Sequence, residues 1–233
     1  PRLGEVRSMY ALDRYENISS WKLKLVNKTA MRIGAGHAGL DPTEPDNSVI
    51  KQNGKPFIPG SSLKGVFRAH IEALFSEERH HCFVCGKRGF APNKENRALF
   101  LRELDGEGFK LCPPCALFGN EFIQGRVYFS DFLLDRPASI AIRDGVGIDR
   151  ATETAANQKK YDYEVVEPGA AFSGELLLIN LNQAGEEYRA LKLMVEWINL
   201  GIIRIGGSVS RGLGRFEATL EEEMPLGEAM KRV

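Results

Sequence analysis

The apolar residues of this chain change their spacing along its length, and the order of those changes limits the folds open to it. Trp21, Leu23 and Leu25 alternate with Lys22 and Lys24, the period-2 pattern of a half-buried strand. Pro59-Gly60-Ser61-Ser62 then supplies a stop and a helix cap. Leu63, Val66, Phe67, Ile71, Leu74 and Phe75 follow at helical offsets on one face. A strand is expected over 126–134, a protruding β-hairpin over 139–168 and a third strand over 172–179. Leu191, Met194, Val195, Ile198 and Ile202 mark a second amphipathic helix, and residues 215–221 close as a strand.

Strand, helix, strand, strand, helix, strand is the order of an α+β domain of the RRM or ferredoxin-like (βαββαβ) type. With 233 residues and 43% apolar content, the chain can bury one such core. It reads as a single RRM-like domain over residues 1–233, with its surplus length in insertions at 34–56, 76–120 and 139–168. No stretch approaches the roughly 20 apolar residues that span a bilayer. Residues 1–10 carry Arg2, Glu5 and Arg7 and lack the apolar run of a secretory signal, so a cytoplasmic protein is expected. The 31 basic residues balance the 31 acidic ones, so any case for nucleic acid must be local.

All four cysteines fall in two pairs, Cys82-Phe83-Val84-Cys85 and Cys112-Pro113-Pro114-Cys115. The two-residue gap lets both sulfurs of a pair face one ion, and four thiolates complete a tetrahedral Zn2+ shell with no position left for a catalytic water. A structural zinc site is the expectation. Two unrelated thiol pairs, or disulfides, are the competing readings, and disulfides are disfavoured without export. His80 and His81 adjoin the first pair as flanking residues or substitute ligands.

Two glycine-rich segments remain. Gly206-Gly207-Ser208-Val209-Ser210-Arg211-Gly212-Leu213-Gly214-Arg215 lies between the second helix and the last strand, with Arg204, Arg211 and Arg215 beside it. Such a loop can cradle phosphate or simply serve as a flexible turn. Gly34-Ala35-Gly36-His37-Ala38-Gly39 is followed by Asp41, Glu44 and Asp46, which form either a divalent-cation site or a solvated loop.

Four stretches together resemble the RAMP superfamily of CRISPR proteins, specifically the repeated palm-and-thumb backbone subunit of type III effector complexes. They are Ile33-Gly34-Ala35-Gly36 leading to Asp46-Asn47-Ser48; Pro59-Gly60-Ser61-Ser62-Leu63-Lys64-Gly65; Gly147-Ile148-Asp149-Arg150 through Gly169; and Ser210-Arg211-Gly212-Leu213-Gly214. The segment from Cys112 to Gly119 is also similar to the cysteine segment of several type III members.

The resemblance implies a subunit that binds guide CRISPR RNA and target RNA beside other effector subunits and neighbouring RAMP copies. Guide contacts would come from Ser61, Ser62, Lys64, Arg68, Arg150, Arg204, Gly206, Gly207, Arg211, Gly212, Gly214 and Arg215. The 139–168 hairpin would be a thumb displacing one nucleotide of the guide–target duplex. It further implies that Asp46 supports cleavage of target RNA with Mg2+ or Mn2+, His37 being a weaker candidate for proton transfer. The family's usual Asp-Ser-Pro or Asp-Asn-Pro is Asp46-Asn47-Ser48 here, so a non-cleaving scaffold is the alternative. A guide-processing ribonuclease ranks lower, because such enzymes usually carry two RRM-like halves.

Overall fold

The computed structural model of the chain describes residues 15, 17–34, 47–77, 111–121, 123–148, 153 and 155–225, with backbone alone at 148, 155–160 and 222–225. Its centre is an antiparallel sheet with two helices on one face. Strand β1 (Ile18–Asn27) runs through the middle, and short hairpin strands β2 (Lys51–Gln52) and β3 (Lys55–Pro56) precede helix α1 (Gly60–Leu74). Helix α2 (Pro113–Phe118) leads to β4 (Val127–Phe129) and β5 (Leu133–Leu134). The β6 (Ile140–Ile148) and β7 (Ala155–Val166) ribbon follows, then β8 (Ala171–Ile179), α3 (Glu186–Leu200) and β9 (Phe216–Pro225). The sheet order is β4-β8-β1-β9, with β5 also on β8.

The period-2 pattern of β1 decides which face is covered. Trp21, Leu23 and Leu25 are fully buried opposite Leu176, Gly174 and Phe172 of β8. Leu63, Phe67 and Ile71 of α1, with Tyr188, Leu191, Met194 and Ile198 of α3, join the same core. Trp21 meets Tyr188 edge-on at 5.2 Å between ring centres, a geometry aromatic pairs favour. Lys22 and Lys24 point the other way. On that uncovered face Lys24 lies 3.5 Å from Asp135 and 3.9 Å from Glu221, and Ser20 bonds Glu175.

The strand expected over 126–134 is broken. At residues 130–132 the chain turns aside so that Phe132 exchanges main-chain hydrogen bonds with Ile58 (2.8 and 3.0 Å). The Phe132 ring covers Gly174 of β8, where a Cβ would run into it. The excursion also carries Asp131 to the start of α1, where its Oδ1 accepts the Gly60 N–H at 2.8 Å. The cap expected from the serines is therefore supplied from 71 residues away. Ser61 and Ser62 lie inside the first helical turn, and a Cβ at Gly60 would collide with the carbonyls of Phe129 and Ser130.

Helix α3 begins with Glu186 and Glu187, whose charges suit the positive end of the helix. It stops at Gly201 in left-handed conformation (φ 75°), with the Ile202 and Ile203 N–H groups returning to the Trp197 carbonyl. Ile202, expected on the helix, lies past its end and is exposed. Ile203 and Ile205 take the buried positions instead. The closing strand runs to Pro225, longer than the expected 215–221.

The β6–β7 ribbon matches the expected hairpin within a residue or two at its base. Met31, just past β1, exchanges reciprocal main-chain hydrogen bonds with Val166 (2.9 and 2.8 Å). Asn27 is fully buried beside it: its Oδ1 accepts the Ala170 N–H at 2.7 Å, and its Nδ2 donates to the carbonyls of Glu167 (2.9 Å) and Val166 (3.3 Å). The ribbon is thus joined to the exit of the central strand. Among the described residues no helix is long and apolar enough to cross a membrane.

Candidate nucleic-acid interface

The glycine-rich loop after α3 is sewn to the chain leaving β1. The Gly207 N–H donates to the Arg32 carbonyl at 2.7 Å and the Gly214 N–H to the Ala30 carbonyl at 2.9 Å, while Ile205 N–H reaches the Gly214 carbonyl at 2.9 Å. Gly206 (φ 100°) and Gly214 (φ 79°) occupy conformations that side-chain-bearing residues avoid, and a Cβ on either would strike a carbonyl, that of Arg32 or Ile205. The loop is thus pinned at both ends. Gly212 also has positive φ but opens onto free space.

The arginines around this loop are differently employed. Arg211 is exposed and donates from Nη1 to the Tyr161 hydroxyl of β7 at 2.7 Å, a bond that raises the already high guanidinium pKa. Arg204 reaches the Val209 carbonyl at 3.5 Å. The Arg215 side chain is exposed, and its main chain bonds Thr29 Oγ1 (3.1 Å) and the Lys28 N–H (2.8 Å).

A third segment enters the same junction. Asn47 follows Asp46 directly, and its Oδ1 accepts from Arg32 Nη2 at 2.8 Å. The Asn47 carbonyl accepts the Glu164 N–H of β7 at 3.0 Å. The Glu164 carboxylate returns the contact, accepting the Val49 N–H and pairing with Lys51 Nζ, both at 3.0 Å. Arg32 lies over the Tyr163 ring, 5.4 Å from its centre, with its buried Nε–H lacking a partner among the described residues. An orphaned buried donor costs on the order of 1–3 kcal/mol, which the stack and the Nη2 bond must offset. Arg32 and Tyr161 escaped the sequence reading, which named Asn47 only as the neighbour of Asp46. Their only trace there is a charged residue wedged between the buried Met31 and Ile33.

At the start of α1, Gly60, Ser61 and Lys64 line an open hollow of about 290 Å³ together with Gln124, Gly125 and Tyr128. Burial raises the Tyr128 pKa, aided by Tyr15 nearby, so its hydroxyl stays neutral. Arg68 is already engaged, pairing with Glu72 at 2.9 Å and donating to the Gly119 carbonyl at 3.2 Å. Cys112 and Cys115 are both buried, at the cap and in the first turn of α2, whose Leu117 and Phe118 belong to the main core. Asp46, His37, Arg150, Cys82 and Cys85 lie outside the described residues.

Pinned glycine loop, hairpin base and post-β1 segment are drawn from the stretches that carried the sequence resemblance. A sequence profile of the RAMP superfamily matches residues 24–217, which spans all three. The chain belongs to the RAMP superfamily. It is also similar to the CRISPR system Cms endoribonuclease Csm3 of Streptococcus thermophilus, 27% identical over 211 residues that cover 81% of this chain and 81% of that protein. In this RAMP chain the matched region starts inside β1 and ends at the beginning of β9, so it takes in β4, β5, β8, the three helices and the ribbon.

Proposed function

We propose that this RAMP chain is a backbone subunit of a type III CRISPR effector complex, which holds guide RNA and cuts target RNA with metal assistance. The observation that carries the reading is the junction of Gly206–Gly214, Tyr161–Glu164 and Arg32, joined to the residue that follows Asp46. The strand order β4-β8-β1-β9 supports a ferredoxin-like palm, and the β6–β7 ribbon supports a thumb. Ile142 and Val146 are exposed on that ribbon, apolar groups able to stand against unstacked bases.

Guide phosphates would meet Ser61, Ser62 and Lys64 at α1, and Arg204, Arg211 and Arg215 around the glycine loop. Arg68 contributes less, because Glu72 already matches its charge. Sequence would be read by base pairing. In the target strand, the 2′-hydroxyl gives up its proton and attacks the adjacent phosphorus, and the 5′-oxygen leaves and takes up a proton from water, giving a 2′,3′-cyclic phosphate. On the resemblance Asp46 would hold Mg2+ or Mn2+; the nearby Glu164 carboxylate is committed to Val49 and Lys51. Such an ion offsets charge on the phosphate. Cys82, Cys85, Cys112 and Cys115 would hold a structural zinc, supported by the second pair sharing one buried turn.

The absence of proline after Asp46-Asn47 favours a non-cleaving scaffold as the second reading. The assembled complex decides between them. Asp46→Ala should abolish cleavage by this subunit while leaving assembly and target binding nearly intact, and a chelator should mimic it. A wild-type complex that binds target with Mg2+ or Mn2+ present and never cuts it here is a scaffold.

A further inference from the structure

We propose that Arg32 is a positioning residue that locks Asn47, the residue after Asp46, to the base of the β6–β7 ribbon, so that ribbon and scissile phosphate share one register. The inference rests on the cleavage reading above. Arg32 touches every part of the junction. Its carbonyl holds Gly207 of the glycine loop, its guanidinium lies over Tyr163 of β7, and its Nη2 grips the Asn47 side chain at 2.8 Å. Met31 before it is paired with Val166.

Asn47 is held a second time through its carbonyl by Glu164 N–H. The Glu164 side chain closes the ring at Val49 and Lys51. The position next to Asp46 is therefore gripped through side chain and main chain by elements that also carry the ribbon. A planar, stacked guanidinium with directional donors suits this task, and an ammonium does not. The Nε is buried and without a partner among the described residues, so this edge of the guanidinium is closed to a phosphate ligand.

The test uses the complex assembled on a guide, with single-turnover cleavage and target affinity measured for Arg32→Ala, Arg32→Lys, Asn47→Ala and the Arg32→Ala/Asn47→Ala double variant. Arg32→Ala should slow cleavage about 10- to 100-fold, the scale of a reacting group misplaced by about an ångström. Affinity should be nearly unchanged, and the cut should scatter to neighbouring phosphates. Lysine should restore only part of the rate. The double variant should be no slower than Arg32→Ala alone, because both changes remove one contact. Cleavage at the wild-type rate and position would overturn the proposal. So would a loss of affinity that steepens with salt, which marks a phosphate ligand.

Amide hydrogen exchange supplies a readout independent of activity. The Glu164 and Val49 amides should exchange faster in Arg32→Ala while the Ala170 amide, held by Asn27, does not. Unchanged exchange at Glu164 and Val49 rejects the lock. Should the wild-type complex not cut, the cleavage reading fails and exchange alone decides whether the lock exists. If Arg32→Ala does not assemble, Asn47→Ala carries the same comparison.

Discussion

Asn27 shows how much one side chain can hold together. It sits at the end of the central strand, fully buried, and satisfies one N–H and two carbonyls in the turn between β7 and β8. Leaving the Ala170 N–H and the Glu167 carbonyl without partners costs on the order of 1–3 kcal/mol each, while the Val166 carbonyl keeps the Met31 N–H. Asn27→Ala should therefore lower stability by about 3 kcal/mol in urea unfolding, with an unchanged m-value if the fold is kept. Neither this role nor that of Arg32 was legible in the sequence, because a lone polar residue among apolar ones carries no local mark of a partner far along the chain. The glycine loop was half legible. Its permissive residues stood out, but the reason for Gly206 and Gly214 is a crossing of main chains that only the fold brings about.

Elements with a local cause were read well, and those with a distant cause were not. Strands β1 and β8 and helix α1 follow from apolar spacing alone. The α3 boundary was overshot because Ile202 continues the spacing, although Gly201 supplies the stop and supersedes it. The break between β4 and β5 answers to Ile58 and to Gly174, and no pattern within 126–134 announces either. Helix α2 is short and leans on the core through Phe118, which stacks on Phe129 at 6.4 Å. We expect about one equivalent of zinc per chain by elemental analysis, with chelation loosening α2 first in hydrogen exchange. A fully folded, metal-free preparation with four titrating thiols would reject the zinc site.

For the molecule as a whole, the layout of charge matters more than its net value of zero. The uncovered sheet face, where an RRM stacks bases on aromatic rings, here pairs Lys24 with Asp135 and Glu221, and Lys28 with Glu217. Lysines paired in this way are not free for phosphate, so on the proposed reading binding falls to the loop, ribbon and α1 surfaces. Guide affinity should fall linearly with salt on logarithmic axes, with little dependence on guide sequence. Lys64→Ala and Arg211→Ala should each flatten that slope by about one counterion, and a strong base preference would contradict this reading. The reciprocal Met31–Val166 pairing has a bearing on length. Copies stacked along one guide would repeat any angular error in the ribbon, so the misfit would grow with every copy added. A ribbon set by main-chain hydrogen bonds has the same pitch whatever side chains drift around it, and such an array can keep count along an RNA as a ruler does.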